Sequence, residues 1–362
     1  MSDLNPRDDA AGGPGRKDSS EPDGPRVGLD FGRTTTRLAL PDEAGGVEVV
    51  AIPTVLGYSG AQAAPIRVHA VGARALSRRD HLKLVSPFEV SPTLCSELVR
   101  DFAAGVLEEL GDRFPTGSWG VINCPIGATD REASVRRRLA AAFFDRFVTA
   151  DDDFLVAVGL GSLEISSHCA VVNVGSEAVS AALIYGGSPR PEDRTVVDYG
   201  AACPELVLRN AIGKRYPELD LTRPTLREIK EEFAFVAPAR RRAVLDVRFQ
   251  GFQKHVDLTE LVQNAFASLL GPLLKAVRGV LAMCPSDDIE AFQGNIVLAG
   301  GYAAIDGLGD RLQSELRADG FEHARVLKPD SASELVARGA ALWARCVPEK
   351  EWGIPLFTER SV

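Results

Sequence analysis

The residues with the most chemistry in this chain sit at two short turns of similar grammar. The first reads Asp30-Phe-Gly32-Arg33-Thr34-Thr35 and the second Asn173-Val-Gly175-Ser176-Glu177-Ala178. Each follows one apolar run and precedes another, which predicts strand, glycine turn, strand. Such a turn suits a phosphate: glycine lets the backbone approach, N–H groups donate, and hydroxyls add further donors. The plainer alternative is a hairpin whose turn simply needs glycine. Three other groups stand beside these turns as candidates: the adjacent charges Lys230 and Glu231, the turn Gly300-Gly301-Tyr302, and the run Asp151-Asp152-Asp153. Their plain readings are an exposed charge pair, a strand-to-helix turn and a set of helix caps.

The elements that would position these groups come in two similar series. In the first, Val27–Leu40 gives two strands around Gly32, and Val47–Ile52 gives a third. Residues from Pro53 to about Arg79 read as loop-rich. A helix follows over Thr93–Leu110, a strand over Trp119–Cys124, and a helix over Asp130–Phe147 capped by Thr129 or Asp130. The pattern then restarts with strands at Cys169–Val174, Val179–Tyr185 and Arg194–Asp198. Helices are expected at Glu205–Arg215 and Leu226–Phe235. Leu258–Leu281 is an amphipathic helix capped by Asp257, with Glu260 three residues later and a kink or break at Pro272. A strand at Asn295–Ala299 and helices at Gly307–Ala318 and Ser333–Cys346 end the series. Two copies of a three-strand unit followed by helices predict a duplicated α/β architecture, with any ligand in the cleft between the copies.

Composition narrows the function classes. At 362 residues and 45% hydrophobic the chain is too long for one core, so two domains are expected. A net charge of −9 argues against nucleic-acid binding through phosphate contacts. The clusters Arg136–Arg138 and Arg240–Arg242 read as solvated helix faces or partner contacts. The 6 cysteines are scattered with no metal-ligand spacing, which suggests a reducing compartment and small buried hydrophobes. Met1–Arg26 is rich in Gly, Pro, Ser and Asp and reads as a disordered tail, not a leader. No apolar run approaches the roughly 20 residues that cross a bilayer. A cytoplasmic protein without direct membrane insertion is the expectation.

Several of these stretches, in this order, resemble the actin superfamily in its bacterial MreB branch. Val27–Leu40 and Cys169–Tyr185 look like its first and second phosphate loops. Leu226–Val236 looks like the helix whose Lys-Glu pair holds a ribose, and Asn295-Ile-Val-Leu-Ala-Gly-Gly301 like the adenosine loop. Arg190-Pro-Glu-Asp193, Asn210-Ala-Ile212 and Tyr216-Pro-Glu-Leu219 are particularly similar to the magnetosome-filament actins within that branch. The resemblance spans about Val27 to Trp352. It implies a duplicated actin-like ATPase fold with two domains around a nucleotide cleft: domain I over 27–166, with a smaller inserted subdomain at about 53–115, and domain II over 167–347. Residues 348–362 would form a tail. It further implies ATP and Mg²⁺ as cofactors and a cytoskeletal, head-to-tail homopolymer that scaffolds or positions cellular structures. Magnetosome or organelle chains are the best single assignment, with cell shape as the next. Other bacterial actins or membrane-associated adaptors are the implied partners.

Roles carry over residue by residue, with departures. Asp30 would orient Mg²⁺ through water, Gly32 would admit the phosphate, and Thr34 and Thr35 would donate. Arg33 stands where the family usually has Thr, and would either contact phosphate or point to solvent. In the second loop the family carboxylate is Asn173, its second glycine is Glu177, and its threonines are Ala178 and Val179. Gly175 and Ser176 remain. An amide brings no charge to hold the ion. Lys230 and Glu231 would take the ribose, while Gly300, Gly301 and Tyr302 would flank the base. Asp152 is the candidate catalytic base, one methylene shorter than the family Glu. Weak or absent hydrolysis follows, with a nucleotide-impaired regulator of a competent actin as the alternative. A kinase of this fold is disfavoured, because phosphoryl transfer depends on the loop that is most altered. A chaperone is disfavoured because no substrate-binding segment follows.

Overall fold

Two sheets of the same strand order face each other across a pair of helices. The computed structural model describes residues 24–59, 68–88, 92–125, 127–161, 168–200, 202–219, 221, 223–237, 242–249 and 252–353. The tail expected over Met1–Arg26 lies outside the described residues as far as Asp23, and the one expected over 348–362 does so from Ile354.

The first half begins with β1 (Arg26–Phe31), β2 (Thr35–Pro41) and β3 (Val47–Pro53). A small sheet follows, made of β4 (Leu56–Ser59), β5 (Val68–Val71) and β6 (Leu82–Val85), with α1 (Gly72–Ser77) and α2 (Pro92–Leu110) beside it. Then come β7 (Trp119–Cys124), α3 (Asp130–Phe143), β8 (Arg146–Asp151) and α4 (Asp152–Gly159). The main sheet runs β3-β2-β1-β7-β8, with β1 antiparallel to β2 and parallel to β7.

The second half repeats this with β9 (Cys169–Val174), β10 (Val179–Ile184) and β11 (Arg194–Val197). Helices α5 (Ala202–Arg215) and α6 (Arg223–Phe233), a hairpin of β12 (Val244–Phe249) and β13 (Phe252–Asp257), α7 (Thr259–Ala267), α8 (Leu270–Leu281) and α9 (Ile289–Gly294) follow. The described chain then adds β14 (Ile296–Ala299), α10 (Leu308–Ala318), β15 (Val326–Leu327) and α11 (Leu335–Ala344). Its sheet runs β11-β10-β9-β14-β15, the same arrangement as the first.

The central strands β1 and β9 are apolar almost throughout because both faces are covered, so they lack the alternation of a half-exposed strand. Helix α4 ends the first half in sequence but packs on β9 and β10 of the second; α11 follows the second sheet but packs on β1, β2 and β7 of the first. The two cross at backbone distance. A Cβ on Gly339 would stand 1.8 Å from the Leu155 carbonyl oxygen, and one on Gly159 would stand 2.2 Å from that of Leu335. The small residues Ala337, Gly339, Ala340, Ala341 and Ala344 on α11 make this approach possible.

Several expectations need correction. Among its described residues, the stretch from Pro53 to Arg79 is mostly regular rather than loop: it contributes β4, β5 and α1. The helix expected to run to Phe147 stops at Phe143, and Arg146 opens strand β8. The helix expected over Leu258–Leu281 is two helices, and the break falls at Ser268–Leu269, before Pro272. Proline is tolerated in a first helical turn, where its missing N–H costs nothing. Cys169 is buried, but Cys346 is exposed and Cys124, Cys203 and Cys284 are half-buried, so most described thiols are not core groups. Among the described residues no helix is long and apolar enough to cross a membrane.

Candidate functional site

Between the two halves lies a cleft of about 940 Å³. Its walls include Asp30, Gly32, Arg33, Thr34 and Thr35 from the first turn, and Asn173, Gly175 and Ser176 from the second. Asp152, Lys230, Glu231, Gly300, Gly301 and Tyr302 also line it. Residues from five separate stretches of sequence therefore meet on one cavity.

The first turn is held by a buried polar network. The Asn123 amide donates to Asp30 Oδ1 at 3.1 Å, and Arg37 approaches Asp30 Oδ2 at 3.6 Å. Asn123 Oδ1 accepts from the Phe31 N–H at 2.7 Å and from Arg136 at 2.9 Å, while Arg136 also donates to the Phe31 carbonyl at 2.7 Å. Burial raises the Asp30 carboxyl above its ordinary value, against the pull of Arg37 and Arg136. Thr54 ties the turn from below, donating to the Gly32 carbonyl at 2.7 Å and sharing a hydrogen bond with buried Thr36. The close approach makes glycine necessary: a Cβ on Gly32 would meet the Thr35 oxygen at 2.5 Å.

The sequence reading missed Asn123 and Arg37, and it misplaced Arg136. Of the three arginines read as a solvated face, Arg136 is only 5% exposed. An asparagine ending the apolar strand Trp119–Cys124 was the available signal for Asn123. Nothing local distinguishes Arg136 from its two neighbours. In the second cluster, Arg240 and Arg241 lie outside the described residues, and Arg242 is exposed as expected.

The second turn rests on backbone. The Gly175 N–H donates to the Ala178 carbonyl at 3.0 Å, and the Ser176 carbonyl accepts from the Ala202 N–H at 2.8 Å. Gly200 supports it from behind, since a Cβ there would stand 2.4 Å from the backbone of Ser176 and Glu177. Arg33 takes neither of its expected positions. Its guanidinium lies 2.8 Å from Glu132 and 2.8 Å from Glu177, between the first turn, the start of α3 and the second turn. Glu132 also closes a capping box with Thr129. Burial works against its charge, but the Thr129 N–H and Arg33 hold its carboxyl below the usual range.

The three aspartates do not act as caps. Asp151 stands at the N-cap of α4 without a side-chain cap bond and pairs instead with Arg194 at 2.9 Å. Asp153 is buried and accepts from the Ser180 hydroxyl at 3.1 Å, and burial pushes its carboxyl up to about 7. Asp152 faces the cleft with one buried oxygen lacking a hydrogen-bond partner. Burial lifts its carboxyl to about 8, with Asp30 and Asp153 adding to the shift and Arg136 opposing it. A group that keeps its proton at neutral pH is a poor acceptor for a water proton.

At the other end, Lys230 donates to Glu205 at 2.5 Å and to the Tyr302 hydroxyl at 3.0 Å, and that hydroxyl donates to Glu205 at 3.1 Å. Burial alone would lower the lysine, but Tyr302 and Glu205 outweigh it and raise it. Glu231 pairs with Arg227 at 2.6 Å, so the two residues expected to act together have separate partners. Glu205 was not anticipated. Gly300 takes a left-handed φ of 92° beside the Asn173 side chain, while a Cβ on Gly301 would meet nothing within 4 Å. This end therefore has an open glycine edge and a rigid polar wall, which fits a flat nucleoside. The turn end fits a divalent ion poorly. Asp30 faces Arg37, Asp152 holds its proton, and Asn173 brings no charge.

No family model matches the chain. It is 25% identical over 335 residues to a MamK-like protein of Paramagnetospirillum magneticum, covering 90% of this chain and 96% of that one. It is 24% identical over 299 residues to the actin-like protein MamK of Magnetospirillum gryphiswaldense, covering 79% of each. Among solved structures, a MamK double helical filament superposes with a TM-score of 0.77 at 24% identity, over 89% of this chain and 99% of that one. MreB 5 of Spiroplasma citri bound to AMPPNP superposes with a TM-score of 0.72 at 15% identity, over 89% and 96%. With its duplicated sheets and the cleft between them, this chain has the actin-like fold of MamK and MreB, and it is similar to a MamK-like protein over nearly its whole length.

Proposed function

We propose that this chain is a filament-forming cytoskeletal protein that positions or scaffolds cellular structures, with magnetosome or other organelle chains as the specific role. Its domains are taken as 27–166, with the inserted subdomain at about 53–115, and 167–347; a core on each half supports that division, while a third core, where α4 and α11 pack between the sheets, is shared. In this reading the cleft holds an adenine nucleotide chiefly by its adenosine end. Gly300, Gly301 and Tyr302 border the base, and Glu231 and the Lys230 wall border the sugar. Mg²⁺, if bound, would be held through Asp30 and would supply charge neutralisation at the phosphates. Arg37 already answers that charge, so metal dependence is expected to be weak. Asp152 holds a proton rather than taking one, and hydrolysis is correspondingly slow.

The observation that carries the filament reading is the likeness to the MamK filament, which spans both halves of the fold rather than the cleft alone. Sedimentation and negative-stain electron microscopy of the purified chain, with and without ATP, test it. Linear head-to-tail polymers, the product of a heterologous contact that does not close, are the expected result. Monomer alone at micromolar concentration in both conditions would remove it. A second reading, a nucleotide-impaired partner that co-assembles with a competent bacterial actin, is favoured by Asn173 and Glu177 at the second turn. Co-sedimentation with such an actin, in the absence of self-assembly, would select it.

A further inference from the structure

Apart from the Asp151–Arg194 pair at the start of α4, two ion pairs among the described residues join the halves across the cleft. At its floor, Arg33 of the first turn meets Glu177 of the second at 2.8 Å. At its rim, Arg79, just after α1, meets Glu228 on α6 at 2.9 Å. Neither pair needs a ligand. The floor pair is also pre-aimed, because Glu132, fixed by its capping box with Thr129, holds the other side of the Arg33 guanidinium. A glycine turn entering from each half, with donors facing the gap, is a place where a metal-bound phosphate could bridge the two. Here a guanidinium from one turn and a carboxylate from the other span that gap instead.

We propose that the Arg33–Glu177 and Arg79–Glu228 pairs hold the cleft shut in place of a metal-bridged phosphate, so that closure responds to ionic strength rather than to nucleotide. Any consequence for polymer formation rests on the filament reading; closure itself does not. The exposures fit a reversible clasp. The side chains are 30% and 56% exposed at the floor and 42% and 58% at the rim, so salt reaches both pairs.

The test is hydrogen exchange, read by mass spectrometry, on the full chain at a concentration that ultracentrifugation shows to be monomeric. Residues 32–34, 175–178 and 223–233 are followed at low and at molar salt, without nucleotide and with ATP plus either MgCl₂ or EDTA. Glu177→Gln should speed exchange at the two turns roughly three- to fivefold at low salt, the scale of an exposed charge pair. Arg79→Gln should do the same at α6. Molar salt should bring the wild type to the level of the variants, and ATP with MgCl₂ should slow it no further than ATP with EDTA. Arg33→Gln with Glu177→Gln should be no faster than Arg33→Gln alone, because once Arg33 is replaced the pair with Glu177 is already gone. Should Arg33→Gln melt early through loss of its Glu132 contact, Glu177→Gln reports on the same pair with the capping box intact. Variants that exchange like the wild type, additive effects of the two changes, or a wild type protected only by ATP with MgCl₂ would each overturn the proposal. Pelleting is scored separately. Polymer with unchanged exchange sinks the clasp alone, whereas salt-sensitive exchange with no polymer sinks the filament reading alone.

Discussion

The two glycine turns stand at the same place in two sheets of the same strand order, yet they are stabilised by different means. The first rests on a buried network of Asp30, Asn123 and Arg136, with Arg37 alongside. The second rests on main-chain bonds and on the missing side chain of Gly200, with buried Asp153 and its partner Ser180 nearby. A buried charged network resists substitution because every deletion leaves a partner uncompensated; a backbone-held turn tolerates new side chains so long as its support stays small. That difference bears on where most departures fall: Asn173, Glu177, Ala178 and Val179 lie on the side held by backbone, against Arg33 on the first turn.

The comparison is broken most severely at Arg136. Arg136→Ala takes a donor from Asn123 Oδ1 and from the Phe31 carbonyl and removes a cation from beside Asp30, and should cost about 3–5 kcal/mol in urea denaturation. A loss below about 1 kcal/mol would show that the first turn is not held by this network.

Next in size is a pH effect at the second turn. Asp153 has its folded-state pKa raised from 3.8 to about 7, so between those values the native protein holds a proton that the unfolded chain has released. Its contribution is complete below about pH 4 and is lost as pH rises through about 7. Its share of the fall in wild-type stability should be about 2 kcal/mol between pH 5 and 7, and Asp153→Asn, which keeps an acceptor for Ser180, should remove that share while leaving the part due to Asp152. Parallel curves for the two proteins would refute the assignment.

Smaller still is Gly200→Ala. Its methyl would press on the Ser176–Glu177 backbone and should cost about 1–2 kcal/mol, with the shift seen in the amide resonances of the second turn and not the first. The smallest effect tests the departures themselves. Asn173→Asp with Glu177→Gly should tighten ATP binding by calorimetry about three- to tenfold and make it depend on Mg²⁺. The gain is modest because Arg33 already neutralises Glu177. Unchanged affinity would mean that these residues do not weaken the site.

Much of the strand framework was legible in the sequence. Trp119–Cys124 and Cys169–Val174 form strands with the expected bounds, because apolar and β-branched runs ending at turn residues have few other solutions. The glycine turns were visible for the same reason. Strands β4 and β5, of four residues each, were not, since so short a run shows almost no period. The site divided along a similar line. Backbone-shaping residues such as Gly32, Gly175 and Gly300 announce themselves by type. The partners of charged groups do not: Arg37 for Asp30, Glu205 for Lys230 and Glu177 for Arg33 depend on which segments meet in space.

The exchange of helices between the halves bears on how the molecule is made. Helix α11 is among the last described parts of the chain, yet it closes on β1, among the first. A Cβ on Gly28 would stand 2.1 Å from the Ala337 carbonyl oxygen. During synthesis, the opening strand therefore waits, one face uncovered, until residues 335–344 have left the ribosome. Contacts of such long sequence separation slow folding and leave β1 open to wrong partners meanwhile. Stopping the chain before Leu335 would release not a smaller working half but a first sheet with its apolar face exposed. The protein is sold to the cell only as a whole.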